Sequence, residues 1–144
     1  MITTTVKTSL NASAEEVWAI IGGVGGVDQW SPVITTCELR NSKEGGLQRI
    51  CGSEQGTLTE KILKLDNENR ILSYAITEQP FLPINDLVST IQVSAEGEGT
   101  LLTTTVTYTL GTGASASQVE EMLHQIYGMS YQGIEVLLTK TEAA

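Results

Sequence analysis

The sequence is poor in the residues that bind metal ions or form disulfide frameworks. It has one histidine, His124, and only two cysteines, Cys37 and Cys51. Zinc and iron sites need several Cys, His or carboxylate ligands at recognisable spacings, and this pattern is missing. We therefore predict no metal site. We interpret the two thiols as small apolar side chains of a reduced protein, since no histidine nearby in sequence would activate them.

Basic residues are also scarce. Eight Lys and Arg stand against seventeen Asp and Glu, which gives a net charge of -9. This charge repels the phosphate backbone of nucleic acids and the surface of anionic membranes. We therefore expect no nucleic-acid partner.

Long apolar runs are missing as well. No stretch approaches the roughly 18 apolar residues of a membrane-spanning helix, and the start, MITTTVKTSLNAS, lacks the basic and apolar pattern of a signal peptide. The sequence predicts a cytoplasmic protein without membrane insertion. Its 144 residues suit a single domain, 1–144, with monomer and homodimer both open.

Glycines cluster in GGVGGVDQWSP, residues 22–32. The segment lacks the Gly-Lys-Ser/Thr of a phosphate-binding P-loop, and it follows a predicted helix where a dinucleotide fingerprint would follow a strand. We interpret it as a flexible elbow between two short helices, and we predict no cofactor.

The first residues predict a strand and then a short helix. Residues 2–10, ITTTVKTSL, are rich in β-branched side chains, which favour strands. Ser13 and Glu16 form a capping-box pattern ahead of AEEVWAIIG, and Gly22 and Gly23 end this helix.

Six further strands and a long helix are predicted after Pro32. The strands are 33–40, 46–53, 56–65, 70–78, 87–94 and 100–110, separated by turn residues. The helix begins at about Ser117, where Ser117 and Glu120 repeat the capping-box pattern. Its predicted buried stripe comprises Val119, Met122, Leu123, Ile126, Tyr127, Ile134, Leu137 and Leu138. This order, with two short helices after the first strand, predicts an α+β fold. In this fold a curved, seven-stranded antiparallel sheet wraps around the last helix and leaves room for a cavity.

The stretch LQRICGSEQGTLTEKIL, residues 47–63, alternates apolar and polar side chains like a hairpin, yet its buried face carries two charges. With Glu54 and Gln55 as the loop, Arg49 lies directly across from Glu60 and Cys51 across from Leu58. A loop at Gln55 and Gly56 would make the two charges diagonal neighbours instead. In both registers they share one face. If the preceding turn is centred near Glu44, Cys37 falls opposite Cys51.

Several segments resemble the START-like superfamily, in particular its bacterial polyketide cyclase/dehydrase-like branch, the SRPBCC proteins. The resemblance covers essentially the whole chain. It is carried by SAEEVWAIIGGVGGVDQWSPVITTCEL, by QRI with TEKILKLDNENRILSYAI, by PFLPINDLVSTIQV and by HQIY. It implies a helix-grip fold that binds a small hydrophobic ligand. In lachrymatory-factor synthase and its bacterial relatives, which belong to the same superfamily as the birch-pollen allergen, an arginine and a glutamate on adjacent cavity strands act on the ligand. They match Arg49 and Glu60.

The chain also departs from the pattern of this family. Relatives read Trp-His-Pro where this chain has Trp30, Ser31 and Pro32, a tyrosine in place of Leu87, and a tryptophan near Thr104. The missing histidine and tyrosine are two proton-transfer groups. The fold therefore carries over to this chain better than any particular reaction does.

Arg49 and Glu60 are the predicted catalytic residues. We expect Arg49 to orient a carbonyl, sulfenic or carboxylate oxygen of the ligand while Glu60 moves a proton. A satisfied ion pair without catalytic work is the alternative. The predicted ligand-binding residues are Trp30, Cys37, Cys51, Tyr74, Leu87, Tyr108, Ile126 and Tyr127. His124 is expected to be a solvated helix residue.

The leading hypothesis is therefore binding of a small hydrophobic or polyketide-like molecule, with cyclase, dehydratase or isomerase chemistry by general acid–base catalysis. Two alternatives stay open at this point. In the first, the domain is a non-catalytic carrier of a lipid-like ligand. In the second, it is an accessory protein that binds another polypeptide.

Overall fold

A computed structural model describes the backbone of residues 1–143 and the side chains of residues 1–140. This part of the chain forms seven strands, two α-helices and one 3-10 turn. In chain order these are β1 (Ile2–Leu10), α1 (Ala14–Ile21), the 3-10 turn (Val27–Gln29), β2 (Thr36–Asn41), β3 (Leu47–Ser53), β4 (Gly56–Asp66), β5 (Ile71–Glu78), β6 (Ile84–Glu96), β7 (Gly99–Leu110) and α2 (Ala116–Ala143).

The strands form one antiparallel sheet in the order β1-β7-β6-β5-β4-β3-β2. Only β1 leaves the sequential order, so β1 and β2 lie at opposite edges although they follow one another in the chain. The curved sheet packs its inner face on α1 and α2, with Leu72, Leu102 and Ile134 in the shared core. The predicted helix-grip fold is confirmed.

The hairpin of β3 and β4 has the first of the two predicted registers. Ser53 pairs with Gly56 across a two-residue loop, which places Arg49 opposite Glu60 and Cys51 opposite Leu58. On the other side of β3, Cys37 pairs with Cys51, as the predicted turn near Glu44 requires.

Two strand boundaries differ from the prediction by three residues. β2 begins at Thr36 rather than at residue 33, because residues 31–34 form a turn in which the Ile34 amide donates to the Ser31 carbonyl at 3.4 Å. β6 begins at Ile84 rather than at residue 87, since Ile84 already pairs with Leu110. The sequence predicts a loop here because QPFLPIND, residues 79–86, contains two prolines and ends in turn-forming residues. In the structure a register shift follows Asn85.

The caps of the two helices differ from each other. At α1, the Ser13 hydroxyl accepts from the Glu16 amide at 3.2 Å, and the Glu16 carboxylate accepts from the Ser13 amide at 3.4 Å, so the predicted capping box is confirmed. The predicted capping role of Ser117 is wrong. The Gln118 amide donates to the hydroxyl of Ser115 at 3.4 Å, and the hydroxyl of Ser117 contacts that same hydroxyl at 3.1 Å.

The buried stripe of α2 also differs at two positions. Met122 is 38% exposed, whereas Tyr131, which the predicted stripe omits, is 1% exposed and packs in the core. In the part of the chain that the structure describes, neither helix combines the length and the apolarity needed to cross a membrane.

Candidate functional site

A cavity lies between the inner face of the sheet and α2. Its volume is about 100 Å³, several times the roughly 10–15 Å³ that one water needs. Most of the lining is apolar and comes from both helices and from the central strands. It includes Ile20, Leu72, Leu87, Leu123 and Ile126.

Arg49 and Glu60 form the charged part of the cavity wall. They lie on β3 and β4 as directly opposed residues, and the Arg49 Nε donates to Glu60 Oε1 at 2.6 Å. The two residues are only 6% and 3% exposed. Burial alone would lower the pKa of Arg49, but the charge and the hydrogen bond of Glu60 outweigh it and raise this pKa above its ordinary value. The guanidinium is therefore charged at every physiological pH.

The glycine-rich segment supplies a second partner for Arg49. Arg49 Nη1 donates to the carbonyl of Val24 at 2.8 Å. Val24 has a φ of 66°, a conformation that β-branched residues rarely adopt. The unusual conformation of Val24 therefore occurs at the residue whose carbonyl accepts from Arg49. The glycine-rich segment thus helps to position the Arg49 side chain.

The pair keeps hydrogen-bonding capacity after these contacts. Arginine has five N–H donors and a carboxylate has two acceptor oxygens. The described contacts use the Nε and Nη1 of Arg49 and the Oε1 of Glu60. Among the described residues, no partner contacts Arg49 Nη2 or Glu60 Oε2 within hydrogen-bond distance, so both groups are available to a ligand.

Three tyrosines line the cavity beside the ion pair. The guanidinium lies 5.0 Å from the ring centroid of Tyr74, and the Tyr74 hydroxyl contacts that of Tyr127 at 3.3 Å. Tyr127 in turn donates to Ser89, while the hydroxyls of Tyr131 and Thr104 lie 2.6 Å apart. Burial raises the pKa of all three phenols, so they remain protonated at neutral pH.

Trp30 contributes an unused donor. Its ring stacks on Tyr131 with centroids 6.4 Å apart, and it lines the cavity. Of the described side-chain nitrogen and oxygen atoms that the protein encloses completely, Trp30 Nε1 is the one without a hydrogen-bond partner. A buried N–H without an acceptor is costly.

The structure brings most of the predicted site residues together. The following line the cavity: Trp30, Arg49, Glu60, Tyr74, Leu87, Ile126 and Tyr127. Cys37, Cys51 and Tyr108 do not line it.

These three residues share the inner face of the sheet but lie beside the cavity. Tyr108 is fully buried and its hydroxyl contacts that of Thr4 at 2.8 Å. Cys51 packs with Val27 and Ile34, and Cys37 packs at the edge of this group. The alternation of side chains along a strand predicts which of them lie on the inner face of the sheet. It does not predict which of these inner side chains line the cavity.

His124 lies on the outer side of α2. Its side chain is 47% exposed and its Nε2 is 3.9 Å from a carboxylate oxygen of Glu120. The prediction of a solvated residue agrees with this placement. In the described part of the chain, no group of three His, Cys, Asp or Glu side chains is arranged to hold a metal ion.

Sequence reasoning missed Tyr131, Ser130 and Ser31, which also line the cavity. The hydroxyls of Ser31 and Ser130 lie 3.2 Å apart, joining the loop before β2 to α2. Tyr131 lies one helical turn after Tyr127, and this i, i+4 spacing is the signal that places both rings on one face.

Comparison with known proteins places the chain in a family. The model of the polyketide cyclase / dehydrase and lipid transport family matches residues 1–132. The chain belongs to this family. No curated protein matches the sequence significantly.

Solved structures similar to this family member come from several bacteria. XoxI from Bacillus cereus is 26% identical, with 99% of each chain covered and a TM-score of 0.83. An uncharacterised protein from Bacillus thuringiensis is 27% identical, with 93% of this chain and 96% of that chain covered and a TM-score of 0.80. A Thermobifida fusca protein shares the fold at 21% identity, with 94% and 91% covered and a TM-score of 0.77.

Proposed function

We propose that this domain binds a small, largely apolar molecule that carries a hydrogen-bond-accepting oxygen, and that Glu60 exchanges a proton with it. The observation that carries the proposal is a buried ion pair, Arg49 and Glu60, which faces an apolar cavity and keeps one unused donor group and one unused acceptor. Membership of a family described by polyketide cyclases, dehydrases and lipid transport supports a ligand of this class.

Each polar group has a distinct role in the proposed complex. Arg49 Nη2 donates to a carbonyl or carboxylate oxygen of the ligand, because a charged donor in a largely apolar cavity binds such an oxygen strongly. Trp30 Nε1 supplies a second donor to the same end of the ligand or to another oxygen. Glu60 Oε2 then takes or gives a proton near that oxygen, which is the general acid–base step of a cyclase, dehydratase or isomerase.

A non-catalytic carrier is the second candidate, and the lining of the cavity favours it in one respect. Glu60 is the single carboxyl group among the described lining residues, and no imidazole accompanies it. The phenols have raised pKa values, so they exchange protons poorly at neutral pH. A domain that only transports its ligand needs no second proton-transfer group.

Calorimetric titration with a panel of small aromatic ketones and carboxylic acids tests the binding function. We expect at least one class to bind the wild type, and the Arg49→Met/Glu60→Leu variant to bind it roughly tenfold or more weakly. The matched control is Arg40→Met/Glu38→Leu, which removes an exposed ion pair of 2.7 Å and the same charges. The proposal is wrong if the panel does not bind or if both variants bind as the wild type does.

Glu60→Gln separates the enzyme from the carrier. This substitution keeps the shape of the side chain but removes the proton-accepting group. In an enzyme it abolishes turnover of the bound compound and leaves its affinity within a few-fold of wild type. In a carrier the wild type binds the compound without converting it, and Glu60→Gln changes nothing further.

A further inference from the structure

Cys37 and Cys51 are placed as the two halves of a disulfide would be. They are directly opposed residues of the antiparallel strands β2 and β3, and both are free thiols. Opposed residues of this kind have Cα atoms about 4.5–5.5 Å apart, which lies within the range of roughly 4.4–6.8 Å found in disulfides. Their Sγ atoms are 2.9 Å apart, about 1 Å more than a sulfur–sulfur bond. The bond therefore needs a small side-chain movement and no change of register.

We propose that Cys37 and Cys51 form a reversible disulfide site that reacts with low-molecular-weight disulfides such as oxidised glutathione. The thiolate of Cys37 attacks one glutathione sulfur, which forms a mixed disulfide and releases one glutathione thiolate. Cys51 then attacks the Cys37 sulfur and releases the second. The two cysteine protons end on the two glutathione thiols, the protein loses two electrons, and glutathione disulfide gains them.

The two thiols differ in access, and this sets the order of the steps. Cys51 is 0% exposed, whereas Cys37 is only partly buried. Glutathione is a charged tripeptide and reaches only the outer thiol. Burial, followed by the hydrogen bond to Cys37, raises the pKa of Cys51, so this thiol does not react with reagents in solution. Its attack on the mixed disulfide relies on the short distance to Cys37.

The disulfide would link the edge strand β2 covalently to its neighbour β3. β2 is an edge strand and its sheet neighbour is β3 alone. Cys51 also packs with Val27 and Ile34, which lie in the segment before β2 and line the cavity. Oxidation would therefore link this segment of the cavity wall to β3 through β2. The bond itself depends on no ligand, so it is independent of the proposed function.

Mass spectrometry of the full chain tests the proposal. The reduced protein is incubated with oxidised glutathione and quenched in acid. It is then unfolded in urea at neutral pH and treated with a maleimide, so that a free thiol that is buried in the folded protein also reacts. We expect the wild type to lose the mass of two hydrogens, to take up no maleimide and to recover both thiols with dithiothreitol. We also expect the oxidised form to unfold about 5–10 °C higher. Two thiols that remain open to maleimide, or a glutathione adduct that persists on the wild type, would overturn the proposal.

Single variants test the order of the steps, with circular dichroism as the check of folding. Cys51→Ser removes the second nucleophile, so a stable glutathione adduct is expected on Cys37. Cys37→Ser leaves only the buried thiol and is expected to remain unmodified. An adduct that forms equally fast on both variants contradicts the assignment of Cys37 as the point of entry. The wild-type mass measurement decides the disulfide itself if a variant fails to fold.

Discussion

At the scale of single residues, the buried ion pair is the feature that stability does not explain. Removing two charges from water costs several kcal/mol for each ion, and their attraction offsets this cost only with good geometry. Arg49 and Glu60 have that geometry, with a 2.6 Å contact and a further bond from Arg49 to Val24. Even so, apolar residues of similar size often serve a core equally well. The pair therefore points to a function.

The double variant Arg49→Met/Glu60→Leu should be as stable as the wild type or more stable. The single variant Glu60→Leu should lose about 3–5 kcal/mol, because it leaves the guanidinium buried without its partner. Denaturant unfolding of the three proteins at neutral pH measures both differences. If the double variant also loses several kcal/mol, the pair is a structural element, and the carrier becomes the better hypothesis.

The sequence predicts this pair because both partners lie in one hairpin, where alternation and a two-residue loop define which side chains are opposed. The Val24 carbonyl and the unpartnered Trp30 Nε1 could not be predicted in this way. Both depend on how residues 22–32 fold over the sheet, and no local periodicity encodes that contact. The pairing of side chains within one hairpin can therefore be predicted from the sequence, whereas contacts between segments that are distant in the sequence cannot.

At the scale of elements, α2 approaches the loop before β2 only because residue 133 is glycine. A Cβ at Gly133 would overlap the carbonyl oxygen of Trp30. At Gly128, on the same helix, such a Cβ would have no described atom within 4 Å apart from its own neighbours and the backbone of the helix. The two glycines thus differ in role although the sequence presents them alike. The close approach at Gly133 lies next to the stacked rings of Trp30 and Tyr131.

Gly133→Ala should therefore destabilise the protein by about 1–3 kcal/mol or more, since the backbone of the loop must move. Gly128→Ala should instead stabilise it by roughly 0.5–1 kcal/mol, because alanine favours the helix. Thermal and denaturant unfolding of both variants provide the measurement. Equal effects of the two substitutions would mean that the contact with Trp30 is not rigid.

The start of α2 gives a second pair of variants. Ser115→Ala removes the oxygen that accepts from the Gln118 amide and should cost about 1 kcal/mol. Ser117→Ala removes a hydroxyl whose described contact is with Ser115, and it should cost less than half as much. The free energies of unfolding in urea distinguish the two sites. A larger loss for Ser117→Ala would restore the capping box predicted from Ser117 and Glu120.

At the scale of the whole molecule, the order of elements is enough to predict the fold, and the cavity follows from it less directly. One strand, a helical segment, six strands and a long helix predict a sheet that wraps around a helix. The unfilled volume depends on the side chains of α2, where Tyr131 was missed and Met122 was misplaced. Small errors in a helical stripe change the lining without changing the architecture.

One buried thiol and three buried phenols make the stability of the whole molecule sensitive to alkaline pH. Burial raises the pKa of Cys51 above its ordinary value of 9.0, and the pKa values of Tyr74, Tyr127 and Tyr131 above 10.0. The unfolded chain releases these protons at the ordinary values while the folded chain retains them. Above pH 9 the unfolded state therefore binds fewer protons, and stability falls as pH rises.

Each of the four groups should contribute a slope of up to about 1.4 kcal/mol per pH unit above its ordinary pKa. Urea unfolding from neutral pH to about pH 11 measures the total slope, and the ultraviolet absorbance of tyrosinate follows the phenols. We expect the absorbance of these three phenols to rise only together with unfolding. Tyr127→Phe is the control, since it removes one phenol and should reduce the slope by one group. Ionisation of all three phenols near pH 10 in the folded protein would contradict their burial around the cavity.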